Sequence, residues 1–188
     1  MNTDQIFELL ENEGVDVSRD TLQASLHPDV IDLLASSFFD VGADEGTLWL
    51  LDKGQEKLVP VWNSGRSAQQ FVGHYWQPLD SGLISLACVA EQPLCENFVY
   101  KNEDQNRTLD LHLAKLTCAM IAVPLRLSGG TSGVVSCVRL KNSRLLPDPP
   151  AFSSEDLAVI DRAVHHVQRK IDPSSASISS HCSPRKSD

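Results

Sequence analysis

A chain of 188 residues, 41% hydrophobic and 22% charged, is long enough to bury one good core and short for two. Its formal charge of −9 argues against a nucleic-acid surface, because phosphate binding needs clustered Lys and Arg, and no basic run here exceeds two residues. No stretch approaches the roughly 18 apolar residues of a spanning helix, and the N-terminus MNTDQIFELLENEG has neither the basic nor the apolar region of a signal peptide.

Five cysteines without CxxC pairing fit reduced, buried thiols. These features place the protein in the cytoplasm, with neither nucleic acid nor membrane as partner.

In chain order, residues 4–13 read as a short amphipathic helix carrying Ile6, Leu9 and Leu10, followed by a linker, so that 1–27 stand apart from the domain. Pro28 suits the first turn of a second helix over 28–40, with Ile31, Leu34 and Phe38 at helical spacing. Strands follow at 47–51 and 58–62, joined across Asp52-Lys53-Gly54, with a further short strand at 75–77. Asp80-Ser81 can cap a helix at 83–91. A strand at 94–96, a polar loop and a brief helix at 108–115 come next.

The stretch CAMIAVPLRLSGGTSGVVSCVRL reads as a hairpin, with strands at 118–127 and 133–140 turning at Gly129 and Gly130. The first strand is apolar on both faces and is expected to lie centrally, with a bulge at Pro124, since proline cannot donate to a ladder. The second alternates, placing Val135, Cys137 and Arg139 on one face and Val134, Ser136 and Val138 on the other. Ser136 or Arg139 among apolar neighbours suits a cavity wall, and suits a partly solvated face equally.

The last helix opens on the capping box Ser153-Ser154-Glu155-Asp156. Leu157, Ile160, Val164, Val167 and Ile171 then recur by three and four, as in a heptad seam. Pro173 ends it, and 172–188 form a Ser-rich tail expected to be disordered. Antiparallel strands with helices on both faces make an α+β domain.

Four stretches in order resemble a GAF domain, the small-molecule-sensing module of phosphodiesterases, phytochromes and bacterial regulators. They are GADEGTLWLLD at 42–52, PLDSGLISLACVAEQPLCEN at 78–97, MIAVPLRLSGGTSGVV at 120–135 and FSSEDLAVI at 152–160. The resemblance covers 28–171 and implies a GAF-like antiparallel sheet of five to six strands. It places a pocket between the sheet and the helices at 83–91 and 108–115. Trp76, Asn97, Tyr100, Asn106, Arg107 and His112 are the candidate ligand-binding residues. A solvated loop for Asn106 and Arg107, and a core position for Trp76, remain open beside that reading.

Specialised branches of the family leave residue-level marks. The place of the bilin-linking cysteine falls at Arg107. Free methionine-R-sulfoxide reductases carry a catalytic cysteine whose place falls at Leu113 and a partner whose place falls at Ile84, so both thiols are absent there. The cyclic-nucleotide motif of phosphodiesterases is matched by Phe152, Glu155 and Asp156, but its Asn-Lys pair falls on Arg139-Leu140. His74 or His112 are the candidates for a haem ligand, and no cofactor is specified.

The reading these features support is a non-enzymatic GAF sensory module that binds a small ligand. It is expected to pair as a homodimer through the helices at 28–40 and 157–171 and to signal through a separate output protein. The alternatives are a dimerisation or scaffold domain with its pocket filled by Trp49, Trp62 and Trp76, a cyclic-nucleotide-binding GAF, and a reductase-like enzyme.

Overall fold

The computed structural model describes residues 26–171 apart from 53, 55, 128 and 129. The expected helix at 4–13, most of the linker after it and the tail at 172–188 lie outside the described residues. In chain order the elements are helix α1 (Pro28–Asp40), strands β1 (Glu45–Leu51) and β2 (Lys57–Asn63), the two-residue β3 (Gln77–Pro78), helix α2 (Leu83–Ala90), β4 (Leu94–Glu96), the short helix α3 (Thr108–His112), β5 (Leu116–Leu127), β6 (Gly130–Lys141) and helix α4 (Ser154–Ile171). Among the described residues the strands form one antiparallel sheet ordered β3-β2-β1-β6-β5-β4.

The long hairpin dominates the sheet, but β1 and β6 occupy its middle rather than β5. β5 is still covered on both sides, since α2 and α4 both pack on it. The bulge expected at Pro124 is elsewhere. Pro124 pairs in register with Val134, and the irregularities fall at Thr117/Ala119 and Leu125/Arg126. β4 pairs only with Met120–Ala122, so beside Pro124 the outer edge of β5 is open, the kind of place a sheet proline occupies. Gly130 takes a φ of 121° at the turn, a conformation glycine adopts without penalty.

Alternation along β6 separates two environments. Gly46 and Cys137 are register partners, and a Cβ on Gly46 would come within 2.2 Å of the Phe38 ring. That face therefore lies under α1. Phe38 also stacks on Trp62, centroids 6.1 Å apart. The buried row of α1 is Val30, Leu34 and Phe38, with Ile31 only partly covered.

Arg139 holds the same face together. Its guanidinium donates to the carbonyl oxygens of Val41 (2.6 Å), Gly42 (3.2 Å), Pro150 (2.7 Å) and Ala151 (2.9 Å), and lies 4.1 Å from the centroid of the Phe152 ring. It ties the end of α1 to the segment that leads into α4. Asn97 adds a second tie, exchanging hydrogen bonds with the backbone of Phe152.

The capping box forms as expected: Asp156 N–H donates to Ser153 Oγ, and Asp156 Oδ2 accepts from Ser153 N–H. The apolar row that resembled a heptad seam is core of this same chain. Ile160, Val164 and Val167 are no more than 1% exposed, with α4 packed on α1 and β5. An amphipathic helix covering a sheet and a helix pairing with a copy of itself need the same apolar spacing, so periodicity alone does not distinguish them.

Candidate functional site

Ser136, Val138 and Leu140 of β6 face the other way, into a cavity closed by α2, α3 and the 105–106 loop. β1 contributes Glu45, Thr47 and Trp49, every second residue of one strand face. The cavity encloses about 630 Å³ of atom-free space including its open mouth. That is room for a small organic molecule.

Its aromatic end is made by Trp49 and Phe71, and aliphatic side chains including Leu83, Ile84, Met120, Leu113 and Val138 line the rest of its apolar surface. Trp49 is anchored on both sides of its ring system: Nε1–H donates to Ser136 Oγ at 2.9 Å, and the ring sits edge-on to Tyr75 with centroids 6.3 Å apart. Tyr75 in turn donates to Gln77 Oε1. Burial first, and the negative charge of Asp110 second, push the Tyr75 phenol upward from its ordinary value.

The polar part gathers at the opposite end of β1. Lys115 Nζ lies 2.7 Å from Glu45 Oε2, with side chains only 19% and 11% exposed. Asp110 accepts from both the N–H (3.0 Å) and the hydroxyl (2.7 Å) of Thr117. Thr47 accepts from Asn63 Nδ2. Every one of these groups lines the cavity except Asn63, so its polar wall is assembled and hydrogen-bonded.

Of the six residues proposed from sequence, Asn106 lines this cavity and the other five do not. Asn106 bonds to Ser81 Oγ and to the N–H of Thr108. Trp76 neither lines the cavity nor joins the core: it is 56% exposed and carries Lys57 Nζ over its ring. Asn97 serves the Phe152 tie. Tyr100 donates to Asp148, Arg107 donates to the Tyr100 carbonyl, and exposed His112 has Nε2 3.4 Å from the Gln70 carbonyl. His74 is not among the lining residues either. The period-two pattern Glu45-Thr47-Trp49 was the available signal for the β1 wall. Asp110 and Lys115 come from a brief helix and a turn, where no period marks a face.

No protein-family model matches the sequence, and no curated protein matches it. Solved structures do. The GAF domain of a phosphoenolpyruvate-protein phosphotransferase from Coxiella burnetii superposes with a TM-score of 0.62 at 17% identity, covering 94% of this chain and 96% of that one. A GAF/HD domain protein from Geobacter sulfurreducens gives 0.61 at 20% identity over 76% and 90%. The chain has the GAF fold. A further structure with this fold, free methionine-R-sulfoxide reductase from Neisseria meningitidis in complex with its substrate, gives 0.59 at 16% identity over 93% and 89%. The GAF fold thus occurs both as a domain of larger proteins and as an enzyme, and the chemistry has to be read from the site.

Leu113 and Ile84, the positions at which the family resemblance puts the reductase thiols, both line the cavity, where they present hydrocarbon. None of Cys88, Cys95, Cys118 and Cys137 lines it. Burial pushes the thiols of Cys88 and Cys118 upward and that of Cys137 to about 12, opposite to the lowered value a nucleophilic thiolate needs.

Proposed function

We propose that this protein is a non-enzymatic GAF sensory module, acting in the cytoplasm, whose cavity holds a small ligand and whose occupancy is passed to a separate protein. The observation that carries this reading is the cavity itself: one aromatic wall, one hydrogen-bonded polar wall, and space between them. The route outward is short. α2 bounds the cavity, and both α2 and α4 pack on β5, so a ligand that shifts α2 biases the strand on which α4 rests.

Regulatory GAF domains among the structural neighbours support this role, and so does the apolar character of the two thiol places. A cyclic nucleotide fits less well. Arg139, Phe152 and Asp156 at its motif are engaged on the opposite face of the sheet, and the polar wall carries an excess of acid. With the α4 seam spent in the core, a homodimer would use exposed residues such as Phe39, 83% exposed at the end of α1.

The three tryptophans of the scaffold reading do not all serve it: Trp49 fills part of the cavity, while Trp62 stacks under α1 and Trp76 is at the surface. Native mass spectrometry of gently isolated protein, beside an Ile84→Trp variant, separates the two. An added small mass on the wild type that the variant lacks supports the sensor. Unliganded protein with no melting shift across a metabolite panel supports the scaffold and removes the sensor.

A further inference from the structure

The cavity is graded along β1. Its lining residues there run Trp49, Thr47, Glu45, aromatic to hydroxyl to carboxylate over about 13 Å of strand. Phe71 joins the Trp49 end, with ring centroids 6.4 Å apart. Lys115 joins the Glu45 end through its 2.7 Å ion pair. Asp110 joins that end as well: it is bonded to Thr117, whose register partner Leu140 lies two residues beyond Val138, the partner of Glu45.

Charge at the polar end does not balance. The charged residues of the lining are two carboxylates, Glu45 and Asp110, and one cation, Lys115. Lys115 is taken by Glu45. Among the described residues Asp110 is met by the neutral donors of Thr117 alone. In a partly desolvated site a second anion would meet repulsion from this excess, whereas a cation would neutralise it.

We infer that the ligand is a small amphipathic amine, a monocation with a short hydrocarbon body. Its ammonium group lies toward Glu45 and Asp110, and its body lies along β1 toward Trp49 and Phe71. This rests on the small-ligand reading above and adds the chemical class. Carboxylic acids and phosphates of the same length are rejected by the two carboxylates. Zwitterions are intermediate, since Lys115 is already engaged.

The test is calorimetry on the full chain with four six-carbon probes that differ only at the head: n-hexylamine, norleucine, n-hexanol and hexanoate. Hexylamine is expected to bind at least tenfold tighter than hexanol, with hexanoate weakest, and Ile84→Trp is expected to abolish its binding. The Glu45→Gln/Asp110→Asn double variant leaves Lys115 as the only charge of the lining and is expected to reverse the amine and acid order. If that variant fails to fold, the wild-type ranking together with Ile84→Trp decides. Tightest binding of hexanoate or norleucine overturns the amine assignment while leaving a ligand cavity in place. Binding of hexylamine unchanged by Ile84→Trp overturns it as well, and so does binding of none of the four, while the sensor reading itself stands or falls on the native mass and the metabolite panel.

Discussion

The two faces of the sheet are built from the same strands and do opposite things. On the α1–α4 face, Cys137 and Val135 of β6 lie in a close-packed core, and the polar residue between the layers, Arg139, reaches four carbonyl oxygens and an aromatic ring. On the α2–α3 face, Ser136 and Val138 look into open space, and the polar residues are paired while leaving room between them. A buried guanidinium is tolerated where its charge and donors are met, because an unpaired one costs several kcal/mol; here four of its five N–H groups reach carbonyl oxygens and Asp156 Oδ2 stands 4.0 Å from Nη2. The difference teaches that one face is committed to stability and the other keeps volume for something that is not protein.

Breaking the packed face should have the largest effect. Val164→Asp puts an unpaired carboxylate among Ile160, Val167 and β5 and is expected to cost about 3–5 kcal/mol, enough to remove most of the stability of a domain this size. Thermal melts and soluble yield check it. A soluble monomer with native melting would show α4 to be peripheral and the contrast false.

Arg139→Met should follow at about 3 kcal/mol, since four carbonyls lose a charged donor at once. A loss below about 1 kcal/mol in urea titration would mean that the segment leading to α4 is held by something else, Asn97 foremost.

On the cavity face the same kind of change should cost less. Ser136→Ala strands the indole N–H of Trp49 and is expected to cost about 1–2 kcal/mol, with a shift in tryptophan emission. If Ser136→Ala proves as damaging as Arg139→Met, the cavity face is as tightly committed as the other.

The smallest effect lies away from the cavity, at the surface, where Asp148 meets Lys141 and Tyr100. The hydrogen bond from Lys141 first, and that from Tyr100 second, hold the Asp148 carboxyl below its ordinary value of 3.8. A carboxyl depressed in the folded state stabilises above its unfolded value, and that contribution is lost as pH falls through the folded one. Asp148→Asn should therefore melt slightly below wild type at pH 7, and the two curves should converge toward pH 3. A gap that persists in acid would assign the effect to packing.

Much of the fold was legible because regular elements carry regular periods. The hairpin strands, α2 and the capping box of α4 announced themselves by alternation, by apolar spacing or by a cap, although the cap expected for α2 at Asp80-Ser81 does not form: its N-cap is Gly82, with a φ of 93° and no side-chain hydrogen bond. The site was less legible. Tyr100, Arg107 and His112 look like ligand-binding types in a pocket-side loop, yet their side chains bond to neighbours outside the cavity. Glu45, Asp110 and Lys115 come from three separate segments, and their meeting depends on how α3 and the turn after it pack against β1 and β5.

By itself the sequence determined that an antiparallel sheet with helices on both faces would form, in GAF-like order, since local periods and caps depend on neighbours a few residues apart. Tertiary structure decided which face of β6 lines the cavity, that the α4 seam is core, and that two carboxylates share a wall with one lysine. Those outcomes are set by contacts between residues tens of positions apart, such as Glu45 with Lys115 and Arg139 with Val41, and no local period encodes them.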